Sequence, residues 1–138
     1  MKIYIVVLLF IVSLVCPKQH IEYHQNGVMK EIGDLDRYND KQGRWFSYSQ
    51  DGSLLSYTDY KNGLRHGRMV LFYSDGKTIW IDNGFKNGKH HGMCYWFNED
   101  GTVGIIEIYE QGVQEYMVVL EGGRIIEEKI DGEDTERY

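Results

Sequence analysis

The chain has 138 residues, a formal charge of −6 and 16 glycines. A chain of this length is predicted to form one small domain, and its acidic balance disfavours a general nucleic-acid-binding role, so no nucleic-acid partner is expected. It contains no alanine and a single proline, while aromatic and β-branched residues supply most of its apolar content. Such a composition is typical of strands and turns, and it predicts an all-β fold.

Residues 1–16 resemble a targeting segment. Lys2 provides a positive start, and the run from Ile3 to Val15 is largely apolar, which is the pattern of a secretory signal. As a helix this run would be about 20 Å long, shorter than the roughly 30 Å hydrocarbon core of a membrane. We therefore predict an exported protein that is periplasmic or a membrane-anchored lipoprotein, or alternatively secreted.

Cys16 stands where bacterial lipoprotein signals place the cysteine that is acylated, which makes it the candidate lipidation site. Val15 departs from that signal, because a small residue normally precedes the cysteine. Pro17 disfavours ordinary cleavage directly after Cys16, and no A-x-A site is present. Three outcomes stay open: a lipoprotein, a secreted or periplasmic protein, and an uncleaved anchor. Membrane contact is expected only through this N-terminal segment.

Three aligned blocks follow, beginning at Gly43, Gly67 and Gly92, at intervals of 24 and 25 residues. They read GRWFSYSQDGSLLSYTDYKNGLRH, GRMVLFYSDGKTIWIDNGFKNGKHH and GMCYWFNEDGTVGIIEIYEQG. Worn copies lie on both sides of these blocks. Repeats are therefore predicted over residues 20–123, and an acidic C-terminal tail over residues 124–138.

Each block carries two turn signals, an Asp-Gly pair followed by an Asn-Gly or Gln-Gly pair. These pairs suit two-residue hairpin turns, because glycine takes positive φ freely and asparagine or aspartate tolerates it. Each block is therefore predicted to be one β-hairpin. The predicted turn glycines are Gly52, Gly63, Gly76, Gly88, Gly101 and Gly112.

Apolar side chains alternate along the first strand of each block. The two-residue period of a strand puts them on one face, where they stack with their counterparts in neighbouring blocks. These residues are Phe46, Tyr48, Val70, Phe72, Tyr95 and Phe97. The second strands are predicted to extend the ladder with Tyr57, Tyr60, Trp80, Phe85, Ile106 and Tyr109. Because one hairpin is only marginally stable, several in register are needed to bury this face.

The heptads KNGLRHG at residues 61–67 and KNGKHHG at residues 86–92, each followed by a short strand and an Asp-Gly pair, resemble MORN (membrane occupation and recognition nexus) repeats. The closer resemblance is to the variant found in bacterial, often antitoxin-like, repeat proteins. This resemblance implies an elongated antiparallel sheet of stacked β-hairpins that is used for protein contacts and is sometimes proposed for lipid contacts.

No catalytic, cofactor-binding or metal-binding residues are predicted, and the chain is not expected to be an enzyme. His66 and His91 occupy equivalent positions two strands apart, about 10 Å, which is too far for shared ligation of one zinc ion; we interpret them as turn residues. The repeated aspartates precede turn glycines, where aspartate hydrogen-bonds its own backbone. Cys94 lies in a predicted strand, where a small buried hydrophobe is expected.

Two sets of residues are candidates for an interaction surface. The first is the tryptophans Trp45, Trp80 and Trp96, for which cross-strand packing is the alternative interpretation. The second is a basic edge, for which a solvated edge that discourages aggregation is the alternative. This edge comprises Lys61, Arg65, Lys86 and Lys89, with Arg68 as a further member.

The sequence thus predicts a non-enzymatic repeat scaffold that mediates protein–protein interaction at the cell envelope, and the resemblance adds an antitoxin- or immunity-like role. The alternative is a glycan-binding module of the cell envelope, because stacked aromatic side chains can bind sugar rings. Anionic lipid is a further candidate ligand of the basic edge, because lipid headgroups carry negative charge.

Overall fold

A computed structural model describes residues 17–130, which form ten β-strands in one antiparallel sheet. Spatial order follows chain order, so the sheet is a run of consecutive hairpins, as predicted. The strands are β1 (Lys18–Tyr23), β2 (Met29–Leu35), β3 (Lys41–Tyr48), β4 (Leu54–Lys61), β5 (Leu64–Phe72), β6 (Ile79–Lys86), β7 (Lys89–Phe97), β8 (Val103–Glu110), β9 (Val113–Glu121) and β10 (Arg124–Ile130). The predicted signal segment with Cys16 lies outside the described residues. Within them, there is no helix of the length and apolarity that a membrane span requires.

The sheet extends beyond the predicted repeat boundary at Gly123. Arg124 pairs with Glu121, and the pairing continues to Ile130, which lies opposite Tyr116. The glycine pair before Arg124 forms the turn between β9 and β10, so the boundary falls inside the last hairpin. Glutamates in β10 suggested a tail, but backbone pairing at the end of a sheet does not require apolar side chains on both faces.

The Asn-Gly and Gln-Gly pairs form two-residue turns, as predicted. Asn62, Asn87 and Gln111 have φ values of 51°, 51° and 50°, and the glycine after each also has positive φ. This combination is the backbone that a right-twisted hairpin requires. All three turns lie at the same end of the strands, which we name the tight-turn edge.

The Asp-Gly pairs form wider turns, at residues 49–53, 73–78 and 98–102, and here the prediction of two-residue turns is wrong. Only the glycine of each pair has positive φ. The aspartate instead accepts a hydrogen bond from the N–H two residues later, at 2.9 Å in each block. Asp51, Asp75 and Asp100 therefore stabilise these turns through their side chains, as the predicted self-bonding implies. This end of the strands is the wide-turn edge.

The sheet has two faces that follow from its register. One row pairs Phe46, Tyr57, Val70, Asp82 and Tyr95 across successive strands, and we name this side the back face. It confirms the predicted alignment of first-strand apolar residues.

The opposite side, the front face, carries a row of Trp45, Thr58, Met69, Asn83 and Cys94. It also carries three residues assigned by sequence to the ladder that lies on the back face: Tyr60, Phe85 and Tyr109. The assignment fails because Tyr60 and Tyr109 lie three residues after Tyr57 and Ile106, and side chains alternate with a period of two.

The glycine that opens each block lies in a bulge rather than in a turn. Gly67 has a φ of 110°, and the register passes from Thr58 opposite Met69 to Tyr60 opposite Arg65. Three residues of β5 therefore lie opposite one residue of β4. Gly43 and Gly92 occupy the same kind of position, with φ values of 70° and 83°.

The core of this single sheet consists of side chains that cover one another within each face. Val70 and Cys94 are each 1% exposed and Trp45 is 3% exposed. The indole of Trp45 lies directly on Gly33 of β2, where a Cβ atom would stand 2.2 Å from the ring. The absence of a side chain at Gly33 therefore makes room for Trp45.

We predict that Gly33→Ala lowers the free energy of unfolding by about 1–3 kcal/mol, because the added methyl group overpacks the site and displaces the indole. Thermal melting and tryptophan fluorescence measure the two effects. Gly104→Ala is the matched control, because this strand glycine also lacks positive φ and its Cβ would meet only the flexible end of Asn98, at 3.0 Å. Equal melting of the two variants would contradict the packing role of Gly33.

Candidate interaction surfaces

Two arginines on the back face are held by carboxylates. Arg44 donates to both oxygens of Asp59, at 2.7 and 3.0 Å, and its guanidinium lies 4.2 Å from the centre of the Tyr57 ring. Arg68 forms a bidentate pair with Asp82. Arg68 was predicted to belong to the basic edge, but its side chain is engaged on the back face. The hydrogen bond from Arg44 lowers the pKa of Asp59 below its ordinary value.

Trp45 is buried and therefore forms no part of an accessible surface, which corrects its place among the candidates. Its Nε1 donates a 3.0 Å hydrogen bond to the carbonyl oxygen of Asp34, and the Lys41 ammonium lies 4.0 Å from its ring centre. Trp96 is half-buried, with its Nε1 2.8 Å from the Glu107 carboxylate. Both residues have the packing role that was the alternative interpretation.

The repeated histidines, His66 and His91, are strand residues within the bulges, not turn residues as predicted. The Nδ1 atom of His66 is 3.2 Å from Oδ1 of Asn87, and that of His91 is 3.3 Å from the carboxylate of Glu110. Each histidine therefore contacts the next tight turn along the sheet. His90 packs between Phe85 and Tyr109, and burial is the main cause that lowers its pKa.

Cys94 has the setting expected of a small buried hydrophobe. Its thiol donates to Oδ1 of Asn83, and burial is the first cause that raises its pKa to about 12. The thiol is therefore neutral at physiological pH, whereas nucleophilic cysteines require the thiolate.

Among residues 17–130, one cluster of side chains that can ligate metals was not predicted from the sequence. Ligand atoms of His20, Glu22 and Glu31 lie within 4.8 Å of one another on β1 and β2. Each carboxylate already contacts an ammonium group, since Lys30 is 2.8 Å from Glu22 and Lys41 is 2.7 Å from Glu31. These ion pairs account for the cluster. Only the β1–β2 register brings the three together, and that register is invisible as a spacing motif.

Exposed apolar side chains lie at three of the five bulges near the wide-turn edge in residues 17–130; the equivalent residues of β2 and β8 are Lys30 and Gly104. Leu55 and Trp80 are the unpaired residues where the register shifts in β4 and β6, and they are 42% and 43% exposed. Ile126 occupies the same position in the last hairpin and is 60% exposed. We name these three residues the apolar bulge row. Trp80 also contacts Tyr73 and Trp96, with ring centres 6.1 and 6.2 Å away.

The basic residues Lys61, Arg65, Lys86 and Lys89 flank two successive tight turns. Lys86 and Lys89 lie directly opposite each other across β6 and β7. Together with Asn87 and Gln111 they line an open pocket of about 250 Å³. Among residues 17–130, no carboxylate oxygen lies within 4.0 Å of the charged nitrogens of these four residues.

One comparison relates part of the chain to a known family. Residues 41–62 match the family model described as the MORN repeat variant. This segment is similar to a MORN repeat. It spans β3, the wide turn, β4 and the first residue of a tight turn, and it confirms the predicted resemblance. A comparison with curated proteins finds no match to the chain.

The MORN repeat holds only part of the two surfaces. Leu55 and Lys61 lie within it, whereas Trp80, Lys86 and Lys89 belong to the following hairpins, which have the same kinds of turn and bulge. MORN repeats are generally non-enzymatic scaffold modules that commonly bind proteins or membrane lipids.

The depressed pKa of Asp59 predicts acid sensitivity of a defined sign. Its ion pair with Arg44 contributes stability above the ordinary carboxyl pKa of 3.8, and this contribution is lost as the pH falls through the lower pKa of the folded state. We expect the melting temperature of Asp59→Asn to fall less than that of the wild type as the pH is lowered from about 6 to about 3. An equal fall of the melting temperature in the two proteins would show that the ion pair contributes no stability.

Proposed function

We propose that the chain is a non-enzymatic MORN-repeat scaffold that binds a partner protein through the apolar bulge row. The observation that carries this proposal is the recurrence of exposed Leu55 and Trp80 at equivalent bulges, while Trp45 is buried. Tryptophan is enriched among the residues that dominate binding energy at protein interfaces. Bulges also project side chains out of the regular ladder, where a partner can reach them.

We further propose that this contact takes place at the cell envelope. The support is the sequence of residues 1–16, with Lys2, the apolar run and Cys16 in the order of an export signal. An immunity-like role, in which the scaffold neutralises a partner outside the cytoplasm, agrees with such a location. It rests on the resemblance to antitoxin-like repeat proteins.

A glycan-binding module is the second candidate, and the exposed ring of Trp80 beside Tyr73 favours it. Against it, the rings of Trp80 and Trp96 are inclined at 80°, so they form an edge-to-face pair. A sugar ring stacks on a flat aromatic face, and Trp80 and Trp96 do not form a coplanar platform for it. The protein-binding function therefore has the stronger support.

Site-specific photo-crosslinking tests the protein-binding proposal. A photoreactive phenylalanine analogue at Leu55 is expected to form a protein adduct in the native host, and Trp80→Ala is expected to reduce that adduct about tenfold, as for an interface residue worth about 1.4 kcal/mol. The control carries the same analogue at Met93, which is 54% exposed on the back face. Equal adducts from both positions would refute the bulge row, and recovery of polysaccharide alone would favour the glycan-binding module.

Fatty-acid labelling tests the anchor. In a bacterial host, a radioactive fatty acid is expected to label the wild type and not Cys16→Ser, because acylation requires the thiol of the residue that ends the signal. Absence of label from the wild type would remove the lipoprotein reading and leave secretion or an uncleaved anchor.

A further inference from the structure

The paired lysines at the tight-turn edge are unusual for their position. Lys86 and Lys89 are cross-strand neighbours, and like charges directly opposite each other destabilise a sheet. Elsewhere in the sheet, Arg44, Arg68, Lys30 and Lys41 are all paired with carboxylates. Within residues 17–130, the lysine pair has no such counter-charge. An anion placed between the two ammonium groups would remove their repulsion.

The surroundings of this pair are polar and concave. The pocket of about 250 Å³ is lined by Asn87 and Gln111 in addition to the two lysines. Asn87 and Gln111 belong to successive tight turns, so the pocket lies between neighbouring hairpins. Amide donors beside ammonium groups suit carboxylate oxygens, which accept several hydrogen bonds at once.

The basic positions also recur with a defined spacing. Lys61 and Lys86 precede successive tight turns, and one hairpin contributes two strands, so they are about 10 Å apart along the edge. A segment in the extended polyproline II conformation has three residues per turn and rises about 3.1 Å per residue, so side chains three residues apart project to the same side about 9 Å from each other. Carboxylates three residues apart in such a segment therefore match the spacing of the two lysines.

We propose that the tight-turn edge, through Lys61, Lys86 and Lys89, binds the carboxylates of an extended acidic segment of a partner protein. Arg65 is left out because its guanidinium lies over the Phe85 ring on the front face, 4.9 Å from the ring centre. This inference rests on the proposed scaffold function and names the chemistry of its partner. The edge then supplies charge-based steering and register, while the apolar bulge row at the other end of the strands supplies apolar contact.

The same edge is less suited to an anionic membrane. Asp40, in the turn between β2 and β3, lies beside Gly63. Glu110, whose side chain is 57% exposed, directly precedes the tight turn between β8 and β9. A planar anionic surface would meet these carboxylates together with the lysines. A narrow extended segment can contact the central positions alone.

Fluorescence anisotropy with a defined probe tests this inference. The probe is a labelled twelve-residue peptide with glutamate at every third position and serine or glycine between, and a glutamine version serves as the uncharged control. We expect the full-length chain to bind the glutamate peptide and not the glutamine peptide. The double variant Lys86→Gln/Lys89→Gln is expected to weaken binding about tenfold, with a shallower dependence on salt concentration.

Lys77→Gln/Arg124→Gln is the matched control, because it removes the same charge beside turns of the wide-turn edge. Less than a twofold change is expected for it. An equal loss of peptide affinity in both double variants would show that binding depends only on net charge, and it would refute the proposed site. Binding to phosphatidylserine vesicles with no binding to the peptide would assign the edge to membranes, which also overturns the proposal.

Two further results separate the remaining explanations. If the peptide binds only after the acidic residues of 131–138 are neutralised, the occupant of the edge is this chain's own segment, and the partner assignment is wrong. If the peptide fails to bind in every form while the Leu55 adduct persists, the acidic-segment inference falls and the proposed scaffold function stands. If the Leu55 adduct is lost while the peptide still binds, the apolar bulge row is refuted as the partner site and the acidic-segment inference stands.

Discussion

Hydrogen bonds between the backbones of successive hairpins are the interaction on which the structure depends. The N–H of each tight-turn glycine donates to a carbonyl near the start of an earlier strand: Gly63 to Lys41 at 3.0 Å, and Gly88 to Arg65 and Gly112 to His90 at 2.8 Å. A hairpin alone cannot bury a face. These bonds fix each turn against its neighbour, and so they set the register that aligns both faces and both edges.

The fold was predictable because the relevant signals are local. Asn-Gly pairs specify positive φ at two adjacent residues, and the three tight turns have this backbone or its Gln-Gly equivalent. The Asp-Gly pairs look similar in sequence but give wider turns, because the carboxylate of residues such as Asp51 accepts a hydrogen bond from a later N–H. Side-chain bonding thus selects between two turns that dipeptide composition alone does not distinguish.

The surfaces were harder to predict because they depend on register. A two-residue period cannot be carried across the bulges, so the exposure of Leu55 and Trp80 was not evident from alternation. Trp45 was predicted to be a surface aromatic because its own strand gives no sign that Gly33, on the neighbouring strand β2, leaves room for its ring. The place of Lys86 and Lys89 at one end of the strands was predictable because both flank an Asn-Gly turn, and their role as an interaction surface stays a prediction. The engagement of Arg68 with Asp82 was not predictable, because it depends on a contact between strands.

Because the strands lie in the sheet in the same order as in the chain, such a protein can gain or lose whole blocks without rearranging the rest of the sheet. Each hairpin contacts only its neighbours, so inserting or deleting one whole block leaves the contacts of the others intact. Every added block would lengthen the sheet by about 10 Å and carry another copy of both the bulge and the turn positions. The number of blocks thus sets the distance between the outermost copies of these positions.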